Sequence, residues 1–206
     1  MNINNRTHFL SVLCVILLFV FGWSAVHPHD VFTWFLEVFP IFIALPTLFF
    51  TYKKFPLSNL IYGLILIHAI ILMVGGHYTY AEVPLFNWLR DTFDLGRNYY
   101  DRVGHFAQGF VPAMIAREIL IRKNIVKADK WLFFIVCAIC LAISACYEFI
   151  EWWVALASDQ GAEAFLGTQG DVWDTQWDMF LALIGSIVAQ IFCKNWHNRS
   201  MRALEA

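Results

Sequence analysis

The sequence predicts an all-α membrane protein: one integral domain over residues 1–206, about six transmembrane helices, both termini cytoplasmic. Three observations predict it. Hydrophobic residues make up 60% of the chain and charged residues 15%, against roughly 25% charged in a soluble domain. The apolar residues gather in six runs, each close to the ~20 residues that cross ~30 Å of hydrocarbon. The basic residues collect in alternate connections between those runs, as membrane orientation requires.

The first span runs from about Phe9 to Val26, after Arg6. Its Ser24-Ala25-Val26 end resembles a cleavage site. The apolar stretch is long for a signal core and five spans follow it, so a retained span is expected. His27-Pro28-His29-Asp30 breaks the helix. The second span covers about Val31 to Tyr52 and contains Pro40 and Pro46, kinks that neighbouring helices tolerate. Glu37 lies two turns in. The third, about Leu60 to Gly75, carries His68 at mid-depth.

Gly76 to Tyr100 is the longest polar connection. It exceeds ordinary loop length, so it calls for structure of its own. Leu85 to Phe93 reads as an amphipathic helix lying in the interface. The fourth span, about Val103 to Ile121, is the least apolar. The fifth runs from about Trp131 to Ala157, long enough to tilt. An acidic, glycine-containing loop from Ser158 to Gly170 precedes the sixth, about Asp178 to Cys193.

With the N-terminus inside, Arg6, Lys53, Lys54, Arg117, Arg122, Lys123, Lys127, Lys130, Lys194, Arg199 and Arg202 lie on the cytoplasmic side, 11 of the 14 basic residues. Only Arg90, Arg97 and Arg102 lie outside. An odd number of spans would destroy that asymmetry. The five cysteines all sit inside apolar runs and read as small packing residues. A net charge of −2 and the lack of a basic patch with interleaved aromatics give no nucleic-acid partner; the lipid bilayer is the expected one. Oligomeric state is not encoded in any feature of the sequence.

The chemistry concentrates in Asp171-Val172-Trp173-Asp174-Thr175-Gln176-Trp177-Asp178. Read as a helix, this stretch places Asp171, Asp174 and Asp178 on one face. Three carboxylates at the mouth of a span need protons, basic side chains, a metal ion or water to offset their burial. Asp101 and His105 follow at i, i+4, and Glu148 and Glu151 at i, i+3. The orientation brings all of them to the external side. One histidine and several carboxylates from three helices resemble carboxylate metal sites in helical bundles; the same groups can share protons instead. Helix capping accounts for Asp101 and one of Asp171 and Asp174 just as well. It does not account for Glu148 and Glu151, which lie inside an apolar run. Tyr147, Trp152, Trp153, Trp173 and Trp177 read as interface anchors.

The segments His77-Tyr78-Thr79-Tyr80, Tyr100-Asp101-Arg102-Val103-Gly104-His105-Phe106, Tyr147-Glu148-Phe149-Ile150-Glu151-Trp152 and Gly167-Thr168-Gln169-Gly170-Asp171-Val172-Trp173-Asp174 look like the YjdF family of bacterial inner-membrane proteins, over essentially the whole chain. The resemblance implies the inner membrane and a multi-pass architecture, and no reaction. From His77 to Gln190 the chain also resembles VanZ-like proteins. Asp101, His105, Phe106, Glu148, Asp171, Asp174 and Gly185 fit that pattern; Glu151 and Asp178 replace its usual Gln and Asn.

Three functions fit the residues. The first is an intramembrane enzyme acting on a lipid or envelope precursor, with a divalent metal ion held by Glu148, Glu151, Asp171, Asp174 and Asp178. His105, Glu148 and Asp101 would be its catalytic groups. The second is a cation or proton transporter using the carboxylates as a relay, with His68 as its one mid-depth step. The third is a non-catalytic envelope scaffold whose acidic patch binds a partner. No nucleophile or phosphate-loop motif points to a more specific reaction.

Overall fold

A computed structural model describes residues 3–157 and 168–205, and these form seven helices with no strand among the described residues. They are α1 (Ile3–Ala25), α2 (Val31–Thr51), α3 (Asn59–His77), α4 (Pro84–Phe93), α5 (Tyr100–Arg122), α6 (Lys130–Ala157) and α7 (Asp174–Glu205). Most of the acidic loop expected over Ser158 to Gly170 lies outside the described residues.

Five of the helices, all but α4 and α5, are long and apolar enough to cross a membrane. Helix α5 has the length, with 23 residues, but carries Asp101, Arg102, Arg117, Glu118 and Arg122. Its composition follows from its place. It packs against α3, α6 and α7 at the centre of the bundle, so its surface meets protein rather than lipid. Polar side chains there find partners, which hydrocarbon does not offer. The expected fourth span is therefore the buried axis of the fold.

Helix α2 starts on Asp30, whose carboxylate accepts the Thr33 N–H at 2.6 Å. That bond also holds the Asp30 carboxyl below its ordinary 3.8. Helix α4 forms where the amphipathic helix was expected. Pro84 opens it, and Asp94 in left-handed geometry closes it. Its Leu85, Trp88 and Phe93 are all exposed.

The tightest contact is between α5 and α7. A Cβ on Gly109 would stand 1.8 Å from the Ala182 carbonyl oxygen, and one on Gly185 would stand 2.2 Å from that of Phe106. Close backbone approach over small residues is the usual way membrane helices gain packing energy.

At the basic end, the fully buried Glu118 accepts from Arg122 at 2.7 Å, from the Ser58 N–H at 2.8 Å and from the His197 Nε2–H at 2.9 Å. Arg117 donates to His197 Nδ1 and to Asn198. This clasp ties the start of α3 to α5 and α7. The apolar core beside it includes Ile61, Met114, Val136 and Ala189.

The tryptophans expected at the interface, Trp152, Trp153, Trp173 and Trp177, are exposed. Tyr147 departs from that expectation by turning inward. All five cysteines are free thiols; Cys137 and Cys140 are buried in packing.

Candidate functional site

The acidic stripe meets two arginines. Arg102, the third residue of α5, donates to Asp171 at 3.1 Å, to Asp174 at 2.6 Å and, in a very short contact, to Asp178. Arg97, in the segment before α5, donates to Asp174 at 2.5 Å and lies 3.6 Å from Asp171. Both guanidiniums also flank Asp101 Oδ2, at 3.7 and 3.6 Å. The planar, multi-donor guanidinium suits this bridging role.

Two loops hold the clamp in register. The Asn98 N–H donates to the Gln169 side-chain oxygen at 2.9 Å, and the Gln169 amide donates back to the Asn98 carbonyl at 2.9 Å. Asn98 also donates to Asn87 and to the Val83 carbonyl, which fastens α4 to the same assembly.

The stripe differs from its sequence reading in one respect. The helix begins at Asp174, not Asp171, because Asp171 lies in the preceding turn and accepts the Trp173 N–H there. The capping explanation thus holds for Asp171. It fails for Asp101, whose carboxylate turns to His105. Asp171 and Asp174, expected as metal ligands, form an ion-pair clamp with Arg97 and Arg102.

His105 stands between two groups of acids. Its Nε2 lies 3.3 Å from Asp101 Oδ1 and 3.6 Å from Asp178 Oδ1. Its Nδ1 lies 3.1 Å from the Gln108 side-chain oxygen and 3.9 Å from Glu148 Oε1. Ligand atoms of Asp101, His105 and Asp178 fall within 4.8 Å of one another, and so do those of His105, Glu148 and Glu151. All five residues are buried. Glu148 Oε1 has no hydrogen-bond partner, although the residue is only 7% exposed. A buried carboxylate oxygen without a partner is costly.

A cavity of about 210 Å³ opens beside His105. Its polar lining comes from Glu37, Tyr80, Asp101, Tyr147 and Glu151, with Gln108 and His68; its apolar lining comes from Pro40, Leu72, Pro112 and Ile143. Pro112 has no N–H for the Gln108 carbonyl, so α5 loses one internal bond at the cavity wall. Tyr80 is fixed by a slot of glycines. A Cβ on Gly75 or Gly104 would meet its ring at 2.2 or 2.9 Å. Thr79 and Tyr80 both sit in left-handed backbone, which delivers the ring to that slot.

Sequence reasoning thus brought together His105, Glu148, Glu151, Asp101 and Asp178 as one cluster. It did not see that Glu37, Tyr80, Gln108 and Tyr147 share the cavity. Glu37 left a usable signal, being a carboxylate two turns inside an apolar span. Arg97 and Arg102 entered the reading only as markers of orientation. As the external cations next to an acidic stripe, they were its nearest available partners.

Fold and site together define a multi-pass helical membrane protein with an acid–histidine centre buried near one end. Residues 9–199 match the family described as "Predicted membrane protein (DUF2238)", and the chain belongs to that family. It is similar to the inner membrane protein YjdF of Escherichia coli (strain K12), with 50% identity over 193 residues, 94% of this chain and 92% of that protein. That likeness agrees with the inner-membrane location expected from sequence. No solved structure matches.

Proposed function

We propose that the protein is a membrane-embedded, metal-dependent enzyme that hydrolyses a phosphoester on a lipid or lipid-linked envelope precursor. The observation that carries this reading is Glu148 Oε1, buried and without a hydrogen-bond partner, facing His105 Nδ1 beside the cavity.

The cation belongs on the Nδ1 side, with His105, Glu148 and Glu151 as ligands and the Gln108 oxygen adjacent. Electrostatics decides against the Nε2 side. Arg102 touches Asp178 and flanks Asp101 there. A divalent ion held about 5 Å from one guanidinium is repelled by roughly 7 kcal/mol at an effective dielectric constant of about 20. Asp101 is then a positioning residue. It accepts the Nε2–H of His105 and leaves Nδ1 free to bind, the carboxylate–histidine–metal arrangement common in such sites. The mixed nitrogen and oxygen donors suit zinc or manganese.

The cation would lower the pKa of a bound water. A water activated in this way would supply the oxygen that replaces the leaving oxygen on phosphorus. Glu37, facing the same cavity, takes the water's proton and returns it to the leaving oxygen. One water is consumed, and no oxidant is needed.

The test is metal analysis of the purified protein after incubation with zinc or manganese, together with lipid mass spectrometry of reconstituted protein with and without the ion. One ion per chain and a metal-dependent dephosphorylated lipid are expected, both lost in Glu148→Gln. Equal metal content in wild type and variant would overturn the reading.

A further inference from the structure

The cavity has a side opening. Helix α2 supplies Glu37 and Pro40 to its wall, and α6 supplies Ile143, Tyr147 and Glu151. Yet α2 packs on α3, while α6 packs on α5 and α7, and α2 and α6 form no packed pair of their own. Ile143 lines the cavity and is also 43% exposed on the outer surface, so it stands at the mouth. The surface around that mouth is apolar: Phe39 and Ile43 on α2 and Ile150 on α6 are all exposed. The opening faces hydrocarbon.

The polarity of the cavity is graded with depth. Glu37 and Glu151 lie six residues from the near ends of their helices, about 9 Å along each axis at ~1.5 Å per residue. Pro112 lies about 18 Å in and Ile143 about 21 Å in by the same measure. By that measure the carboxylates lie nearer the membrane surface and Pro112 and Ile143 nearer its middle; Tyr147, in α6, lies between them, and Leu72 lies level with the carboxylates. A lipid in that leaflet has the same gradient, with its headgroup toward the surface and its chain toward the middle. Volume adds a constraint. About 210 Å³ holds a cluster of waters, enough for a headgroup fragment or a short length of chain. A whole two-chain lipid does not fit, so the rest of it must stay in the bilayer, and only a lateral opening permits that.

We propose that a phosphate-bearing lipid enters sideways through the seam between α2 and α6, with Ile143 at the threshold, and presents its phosphoester to the His105–Glu148–Glu151 side of the cavity. This rests on the phosphoester reading above. Pro40, Leu72 and Pro112 bear on the first part of the chain, and the second chain remains outside against Phe39 and Ile43. Substrate choice at this opening falls on chain width and branching rather than on water solubility.

The experiment uses the full-length protein in vesicles of phosphatidylethanolamine and phosphatidylglycerol, doped with a phosphatidylglycerol that carries a diazirine on one acyl chain. After illumination, adducts are mapped by peptide mass spectrometry. Adducts on Leu72, Pro112 or Ile143 are expected, beside those on lipid-facing Phe19 and Ile191. Ile143→Trp should abolish the cavity adducts and leave those on Phe19 and Ile191 in place, with metal content unchanged. Ile143→Ala should raise the cavity adducts, and it decides the matter if the tryptophan variant does not fold. Adducts confined to Phe19 and Ile191 in the wild type, or cavity adducts indifferent to Ile143, would overturn the proposal. Cavity adducts that persist in Glu148→Gln while metal binding is lost keep the lateral entry separate from the metal reading. Cavity adducts in a wild type that binds no metal would sink the enzyme and leave the opening.

Discussion

Arg102 is the residue on which the acidic end depends. It bonds to Asp171, Asp174 and Asp178 at once, and removing it leaves the buried Asp178 without its arginine and Asp171 and Asp174 with Arg97 alone. Breaking a buried pair from one side costs about 3–5 kcal/mol. Arg102→Ala is therefore expected to lower the melting temperature in detergent sharply. Asp178→Asn in the same chain should recover part of the loss, a coupling that a double-mutant cycle reads directly. Asp30 gives a milder prediction. Its folded-state carboxyl titrates below the ordinary 3.8 because it accepts the Thr33 N–H. A depressed acid contributes its stability above its unfolded value and loses it as pH falls through the folded one. Asp30→Ala should cost about 1 kcal/mol at neutral pH, and the gap from wild type should close below about pH 3.8 in thermal melts. These residue-level pairings explain why the site was only partly legible in the sequence. Helical spacing relates Asp101 to His105 and Glu148 to Glu151, since those partners share a helix. The bonds from Arg97 to Asp174 and from Arg102 to Asp178 join positions more than seventy residues apart, and no local period encodes them.

At the scale of elements, the α5–α7 crossing sets where His105 stands relative to Asp178. Gly109 and Gly185 let the two backbones touch. Gly109→Val would drive a side chain into the Ala182 backbone, which cannot yield as a flexible side chain does. Overpacking of this kind costs typically 1–3 kcal/mol, and the helices would part first at the acid–histidine cluster. Loss of metal binding at a temperature where the variant still reads fully helical by circular dichroism is expected. Retention of metal at wild-type affinity would show that the crossing does not position the site. The helices themselves were largely visible in advance. Apolar runs give the spans, Pro84 and the amphipathic pattern give α4, and Asp30 gives the start of α2. The role of α5 was less plain. Its five charges make it the poorest span by composition, yet they are what it presents to α3 and α7 and to the clamp.

The whole molecule is polarised. Seven carboxylates, Glu37, Asp101, Glu148, Glu151, Asp171, Asp174 and Asp178, collect around Arg97, Arg102 and His105 at one end. Arg117, Arg122 and His197 surround a single Glu118 at the other. The excess of basic residues at that second end leads us to place it, with both termini, in the cytoplasm. In a background without native cysteines, a cysteine at Asp94 should react with a membrane-impermeant maleimide in intact cells, and one at Asn124 should react only after lysis. The reverse pattern would invert the topology. At the proposed metal site affinity should depend on pH, because an ion must displace protons from its ligands. Zinc titrations at falling pH should show weakening affinity; a flat profile would argue against a carboxylate–imidazole ligand set.

The amino-acid order by itself determined the membrane class, the positions of the spans, the interfacial helix and the gathering of acids at one end. Those are consequences of hydropathy and helical period, which are read along the chain. Only the tertiary structure decided which acids are held by arginine and which are not, and that Glu37 and Tyr147 face the same cavity as His105. Pairing between charges depends on distances across helices, and burial decides whether an unpaired oxygen matters. Neither quantity exists until the bundle has closed.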